Sequence, residues 1–568
     1  MARRSHRETR PPSPVEHGAV RKPWARCLRI ALVYPNVYRL GMSNLGFQTV
    51  YRLLNAMEGV LCERVFLPEP SAGMPLSVES SQPLDRFHVV AFSISFENDF
   101  PGMLHILERA GLPLASAQRG SPHPLVVAGG VACWLNPEPI AAFIDVFLLG
   151  EAEVFITDFV AAVDTTATRS DLLLRIAQTV PGAYVPGFYE TAYLPHGPIG
   201  RFTPTADVPD RIRPPWVADL NNHPTRSAIV SDQSAFDDTY LVEIGRGCPH
   251  GCRFCSAGFL YRPPRFRDTG VLAETISAGT QWTRRIGLVG AAVSDLPGLG
   301  ALCQLPSLSG LRLSFSSLRA DALTPTLIDI LRKNRVKTAT IAPDAGSERM
   351  RRVINKGITE SEILTAAGDL VAGGIPNLKL YFMIGLPTET AEDVTAIIDL
   401  CAKIRECWLA ASRRVGHIGT IQVSVNSFVP KPVTPFQWVG MDDKKNLKQK
   451  IKMLREALQP VPNVRLKVES LNESVIQAIL SRGDRRLSHV LRRISAGTPW
   501  ASALSAEGLD SDFYATRQRP TDELLPWHFI DHGLSSGFLQ HEYTRALSAK
   551  PSPPCPIVNC SRCGVCPS

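Results

Sequence analysis

Three cysteines lie within eight residues of one another, Cys248, Cys252 and Cys255, in the stretch EIGRGCPHGCRFCSAG (243–258). Their spacing is C-x3-C-x2-C. Three thiolates from one tight loop can hold three irons of a 4Fe-4S cluster, which leaves the fourth iron open to a substrate or cofactor. Gly245, Gly247 and Gly251 let such a loop close tightly around the cluster. A zinc loop is the alternative chemistry. Zinc takes a fourth protein ligand, and His250 is the only near candidate. Four more cysteines, Cys555, Cys560, Cys563 and Cys566, fall in the last fourteen residues with spacing C-x4-C-x2-C-x2-C and Pro567 behind them. Four thiolates are enough to close a site alone, either a ferredoxin-type cluster or a zinc site. The other six of the 13 cysteines (Cys27, Cys62, Cys133, Cys303, Cys401, Cys407) are spread out and predict ordinary buried thiols. In a cytosolic chain, clustered cysteines argue for metal ligation rather than disulfides.

Elements must hold these loops in place. The chain has 568 residues, enough for three or four domains at about 150 residues each. Hydrophobic residues are 44% and charged residues 20%, the balance of a globular protein, which excludes a mainly disordered or collagen-like chain. No run of about 18 apolar residues occurs, so no transmembrane helix and no membrane partner are expected. The start, MARRSHRETRPPSP, has no apolar stretch behind its arginines and does not read as a secretory signal. The expected location is the cytoplasm. Of a net charge of +8, residues 1–30 carry eight Lys/Arg against Glu8 and Glu16, so the body is nearly neutral. Residues 1–22 read as a basic disordered tail.

From Arg29 the pattern alternates. RIALVYP (29–35), HVVAFSIS (88–95), LVVAGG (125–130) and VFLLGEAE (146–153) read as buried strands, with helical spacing in FQTVYRLLNAM (47–57) and MLHILERAG (103–111). This predicts an open parallel sheet over 23–195, with ligands beyond the carboxyl ends of its strands. Residues 196–238, rich in proline and polar residues, read as a linker. A second alternation fills 239–440. Its strands are TYLVEIG (239–245), RIGLVGAA (285–292), RLSFSS (312–317), TATIAP (338–343), LKLYFMIG (378–385) and TIQVSVNSFVP (420–430). Six β/α units predict a partial (β/α)6 barrel with its chemistry at the carboxyl ends of the strands. Residues 441–549 read as helical, and 550–568 as a four-cysteine metal-binding tail. The fold class is therefore α/β: an N-terminal doubly wound parallel sheet, a partial barrel and a helical C-terminal region.

The motif CPHGCRFC, with Phe254 before the third cysteine, resembles the signature of the radical S-adenosylmethionine (radical SAM) superfamily. The resemblance implies a 4Fe-4S cluster on Cys248, Cys252 and Cys255 whose open iron is chelated by S-adenosylmethionine. One electron then cleaves the sulfonium to methionine and a 5′-deoxyadenosyl radical, which takes hydrogen from a substrate. LVGAAVSD (288–295) stands where the family has a Gly-Gly-Glu-like turn and lacks its acidic residue, so Gly290 and Ala291 are the implied backbone contacts. Ser316 and Arg319 in SFSSLRAD (314–321) suit the carboxylate of the ligand. Asp344, in APDAGSERMRRVINKG (342–357), stands where the family commonly has Glu near the ribose. MIGLPTET (383–390) is similar to the later turn near the adenine.

Residues 29–155 resemble a cobalamin-binding domain. NVYRLG (36–41) fits the frame D-x-H-x-x-G with Asn36 and Tyr38 replacing Asp and His, which excludes histidine ligation from this segment. Gly129, Gly130 and LLGEAE (148–153) resemble the glycine turns that line the nucleotide tail. A sheet domain without a cofactor is the alternative. As a whole the chain is similar to an uncharacterised family of long radical SAM proteins. The implied functions are cobalamin-dependent methyl transfer to an unactivated carbon, radical modification of RNA or a ribosomal protein without cobalamin, or a non-catalytic iron–sulfur protein. A reductant such as flavodoxin or ferredoxin is the expected partner. RGDRRLSHVLRR (482–493) offers arginines to RNA, though a solvated helix face or interdomain ion pairing is favoured. In LPWHFIDHG (525–533), Trp527, His528, Asp531 and His532 read as a buried packing motif rather than a substrate contact.

Overall fold

The computed structural model describes residues 14–68, 73–316, 318–557 and 560–566. The N-terminal sheet has six strands in the order Val60–Phe66, Leu28–Tyr34, Val89–Ser93, Leu125–Gly129, Val146–Leu148, Ala183–Tyr184. The first five are parallel and the last is antiparallel. Both faces are covered, so the strands are apolar throughout; Ile30, Ala31 and Val33 are fully buried. The strand order reverses between Leu28–Tyr34 and Val89–Ser93. In open α/β sheets such a switch point leaves a crevice beyond the strand ends. Helices Leu45–Ala56 and Ala152–Ala162 flank the crevice, the first capped by the Asn44 side chain, which accepts from the Phe47 amide at 2.9 Å.

The strand Val60–Phe66 carries no sequence signal. VLCERVF places Glu63 and Arg64 in the middle of the run, yet all seven residues are buried. Arg64 is 1% exposed and pairs with Glu16 and Glu79, both at 2.6 Å. Glu16 lies in the segment expected to be a disordered tail. Residues 1–13 of that tail lie outside the described residues, but 14–22 are docked, which corrects the expectation. Glu16–His17 pairs antiparallel with Val230–Ser231, Val20 donates to the Tyr51 hydroxyl, and Lys22 donates to the carbonyls of Met57 and Val60. The physical reason is charge: the buried Arg64 guanidinium takes Glu16 as one of its two carboxylates.

The barrel contains the six expected strands, all parallel, in two sheets. One holds Thr239–Glu243, Arg285–Val289 and Arg312–Phe315; the other holds Thr338–Asp344, Asn377–Ile384 and Ile421–Ser427. Among the described residues, one parallel bridge, Leu318 to Ile341, joins the sheets. A seventh parallel strand, Val464–Val468, extends the second sheet. It lies inside the span expected to be helical, where VRLKV alternates apolar with charged residues. The rest of that region is helical, including Lys444–Leu458, Leu471–Arg482, Leu487–Ser495 and Ser536–Leu547. In the linker span, Ile199–Pro204 forms a hairpin with Tyr189–Tyr193, and Arg226 bridges to Val242. No helix among the described residues is long and apolar enough to cross a membrane.

Removing Arg64 leaves two buried carboxylates facing each other. Burial already pushes Glu79 above the usual carboxylate range, with Arg64 opposing it. Arg64→Ala should therefore destabilise the N-terminal domain by about 3 kcal/mol, read as a lower urea midpoint for that domain. An unchanged midpoint would show that the triad contributes nothing.

Candidate functional site

The cysteine loop follows the first barrel strand. Gly245–Arg246 pairs antiparallel with Arg265–Phe266 and pinches residues 247–264 into a closed loop. Gly247 sits at φ +79°, and a Cβ there would lie 2.4 Å from the Tyr261 carbonyl, so the turn requires glycine. Cys255 donates its amide to the Cys252 carbonyl at 3.0 Å, and the short helix Ala257–Leu260 follows. The three thiols are electrostatic neighbours. Burial pushes Cys248 up to about 12 and Cys252 up to about 11, and raises Cys255. These thiols are therefore protonated until a metal displaces the proton.

Arg253, between the second and third cysteines, is fully buried. It donates to the carbonyls of Arg352 and Val353 on one side, and to Glu542, the Lys550 carbonyl and Ser552 on the other. Phe254 is half-buried and packs against the core. His250 is 2.7 Å from an Asp295 carboxylate oxygen, so the residue considered as a zinc ligand already has a partner.

The other expected contacts gather around the loop. The Ser316 hydroxyl donates to the Gly290 carbonyl at 3.1 Å. Arg319 pairs with Asp321 at 2.9 Å and donates to the Lys356 carbonyl. Asp344, at φ +62° on a strand irregularity, is 2.6 Å from Lys356 Nζ. Lys356 was not singled out in the sequence, yet its charge, with those of Asp344 and Arg319, reaches the Cys252 thiol. It sits in the INKG turn, and only the fold brings a cation in a loop of mixed residues up to the cysteines.

A cavity of about 450 Å³ opens at the switch point of the N-terminal sheet and runs to the barrel rim. Ile30, Leu32, Leu54, Val127, Leu148, Phe155 and Phe159 line its inner end; Asn44, Ser93, Ser95, Gly129 and Gly130 line its middle; Gly245, Tyr261, Gly290 and Ala291 line its barrel end. Gly130 has φ +101°, and a Cβ there would meet the Ile94 carbonyl at 2.4 Å, so this turn too requires glycine. Charged residues seal one wall. Arg246 pairs with Glu151, Glu153 and Glu243 at 2.8, 2.5 and 3.1 Å. Burial alone would lower the Arg246 pKa, but the three carboxylates hold it well above its ordinary value. No histidine lines the cavity among the described residues. Tyr38 and Asn36 do not line it; Tyr38 donates to Glu16 and Ser231, and Asn36 to Asp99.

The C-terminal cysteines lie beside the first loop rather than apart from it. The Cys555 amide donates to the Pro249 carbonyl at 2.7 Å, and Ser535 donates to the Cys563 carbonyl. Cys566 feels the charges of Cys563, Cys555 and Cys560. Among the described residues, no three His, Cys, Asp or Glu side chains close on one metal ion. This holds for both cysteine sets.

Four of the five arginines offered to RNA have partners within the protein, Arg493 through Glu507, and Arg492 is exposed. Arg482 donates to the carbonyls of Ala515 and Arg517, Arg485 pairs with Glu138, and Arg486 pairs with Asp484 and lies over the Tyr193 ring. In the aromatic motif, Trp527 donates to Gln437, the Asp531 amide donates to the Ile212 carbonyl, and His532 stacks on Trp134. Burial pushes His532 down to about 3. Trp527 is buried, and Trp527, His528, Asp531 and His532 all line a second cavity with Arg211 and Arg213.

Known proteins bear on this geometry. The family described as "Radical SAM superfamily" matches residues 242–401, and that described as "Radical SAM proteins, N-terminal" matches residues 46–186. "Uncharacterized protein MJ0966" of Methanocaldococcus jannaschii is 31% identical over 485 residues, 84% of this chain and 94% of its own length. The tRNA-2-methylthio-N(6)-dimethylallyladenosine synthase of Chloroflexus aurantiacus is 29% identical over 177 residues, 29% of this chain and 38% of that protein. Among solved structures, the cobalamin-dependent S-adenosylmethionine radical enzyme OxsB, with aqua-cobalamin and S-adenosylmethionine bound, has a TM-score of 0.43 and 13% identity; the match covers 69% of this chain and 56% of that one. The chain belongs to the radical SAM superfamily, with an uncharacterised archaeal protein as a near full-length relative. Membership implies a 4Fe-4S cluster and S-adenosylmethionine.

Replacing Cys248, Cys252 and Cys255 together with alanine should abolish reductive cleavage of S-adenosylmethionine and remove about four irons per chain. The checks are a 5′-deoxyadenosine assay and iron analysis. Cleavage at the wild-type rate would place the cluster elsewhere.

Proposed function

We propose that this radical SAM enzyme binds cobalamin and transfers a methyl group to an unactivated carbon. One observation carries the reading: a single cavity connects the crevice of the N-terminal sheet with the barrel turn expected to hold S-adenosylmethionine. Its inner end is apolar, and its volume is in the range of ligand sites. It suits the flat benzimidazole arm of cobalamin with its sugar. The corrin is too large for it; Gly129 and Gly130 in the middle of the cavity and Tyr261 at its barrel end are the residues that would hold it.

When bound, the cluster and S-adenosylmethionine supply the radical, and cobalamin supplies a methyl carrier. The chain's own residues do the rest. Gly290 and Ala291 offer backbone at the barrel turn, with Ser316 fixing the Gly290 carbonyl. Lys356 holds the Asp344 carboxylate in place beside the cysteine loop. The Arg246 network shuts one side of the cavity and ties the N-terminal domain to the barrel. No histidine lines the cavity among the described residues, so no lining imidazole would hold the cobalt.

The purified chain should take up about one equivalent of hydroxocobalamin, seen in the visible spectrum. Electron paramagnetic resonance of its Co(II) form should lack nitrogen splitting from a protein imidazole. Ala91→Trp, which fills the cavity from the strand Val89–Ser93, should weaken uptake at least about tenfold and leave the iron content unchanged. With cobalamin present, S-adenosylhomocysteine should form alongside 5′-deoxyadenosine. Absence of cobalamin uptake by the iron-loaded wild type would overturn the reading.

A further inference from the structure

We propose that Cys555, Cys560, Cys563 and Cys566 hold a second 4Fe-4S cluster through which electrons reach the first. The inference rests on membership of the radical SAM superfamily and is independent of cobalamin. Position is the first argument. The tail folds back onto the cysteine loop: Cys555 bonds to Pro249, the residue after Cys248, and Ser552 bonds to Asn355, which in turn bonds to the Gly251 carbonyl. A cavity of about 310 Å³ beside the first loop is lined by Gly251, Arg262, Glu542, Cys555, Cys560 and Arg562. No domain intervenes between them.

Ligand count is the second argument. Four thiolates saturate four irons and leave none open, so this cluster carries electrons rather than substrate.

Charge is the third. Arg262, Arg545 and Arg562 surround the tail; they donate to backbone carbonyls, to the Ser552 hydroxyl and, from Arg562, to the Cys560 side chain. Among the described residues none of the three has a carboxylate partner within ion-pair distance. Glu542, which lines the same cavity, is already paired with Arg253, so the three arginines leave a net positive rim that suits an acidic one-electron protein of the flavodoxin or ferredoxin class. The donor is oxidised by one electron, the second cluster takes it up and passes it on, and the first cluster is reduced by one; no bond forms or breaks.

The test uses the full chain reconstituted anaerobically. Wild type should hold about eight irons and eight sulfides, and the variant Cys560→Ser, Cys563→Ser, Cys566→Ser about four. The variant should keep the electron paramagnetic resonance signal that S-adenosylmethionine perturbs. With dithionite, a small donor that reaches the first cluster directly, its 5′-deoxyadenosine rate should stay within about twofold of wild type; with reduced flavodoxin it should fall at least about tenfold. Zinc in the wild-type protein, an unchanged iron count in the variant, or equal losses with both donors would overturn the proposal. If the variant loses all its iron, the wild-type count decides: about eight irons sustain the proposal and about four overturn it.

Discussion

The fully buried guanidinium of Arg253 is the constraint on which the arrangement around the cysteines depends. It sits inside the cluster loop, and every direction it donates in belongs to a different part of the chain. The carbonyls of Arg352 and Val353 come from the barrel, Glu542 from the last helix, and Lys550 and Ser552 from the segment that leads into the C-terminal cysteines. A buried charge left without such partners costs several kcal/mol. The loop, the barrel and the tail must therefore be in register together for Arg253 to be satisfied. The same side chain that positions Cys252 and Cys255 thus also anchors the segment leading to Cys555.

A second charged centre does the same for the two large domains. Arg246 and Arg265 on the barrel side share Glu151, which lies just beyond the strand Val146–Leu148 of the N-terminal sheet. Arg267 and Arg246 share Glu243. Burial tends to raise the Glu153 pKa, but Arg246 holds it below the usual carboxylate range, so both partners stay charged. The network fixes the carboxyl ends of the N-terminal sheet against the carboxyl ends of the barrel strands. Those two rims are where each fold type offers its ligand site.

The sequence showed the parallel strands where apolar runs are unbroken, as in Leu28–Tyr34 and Leu125–Gly129. It failed where charge enters a buried strand. In Val60–Phe66, Glu63 and Arg64 mask the apolar run, because their partners, Glu16, Glu79 and Trp24, lie at other points of the chain. Val464–Val468 failed for the opposite reason: one face is exposed, so Arg465 and Lys467 alternate with apolar residues in a span of helices. Residues 14–22 read as tail because their basic composition was visible and the carboxylate role of Glu16 was not. The cysteine triad was legible from spacing alone. Lys356 and the closeness of the two cysteine sets were not, since both come from contacts spanning about 100 to 300 residues of sequence, the separations that local patterns do not encode.

The order of the sheets explains why chemistry gathers on one side of the molecule. The N-terminal sheet reverses its strand order between Leu28–Tyr34 and Val89–Ser93, so its crevice can open only beyond the carboxyl ends of those strands. The barrel's first loop, pinched by the pairing of Gly245–Arg246 with Arg265–Phe266, rises from the carboxyl end of its first strand. Gly245, Gly247 and Tyr261 line the shared cavity from the loop that carries the cysteines, and Gly129 and Gly130 line it from the opposite side. A Cβ on Gly130 or Gly247 would run into a backbone carbonyl, and backbone cannot move aside as a side chain can. Glycine thus keeps each of these two turns tight within its own wall, and the cavity they line reaches from the sheet to the cluster loop.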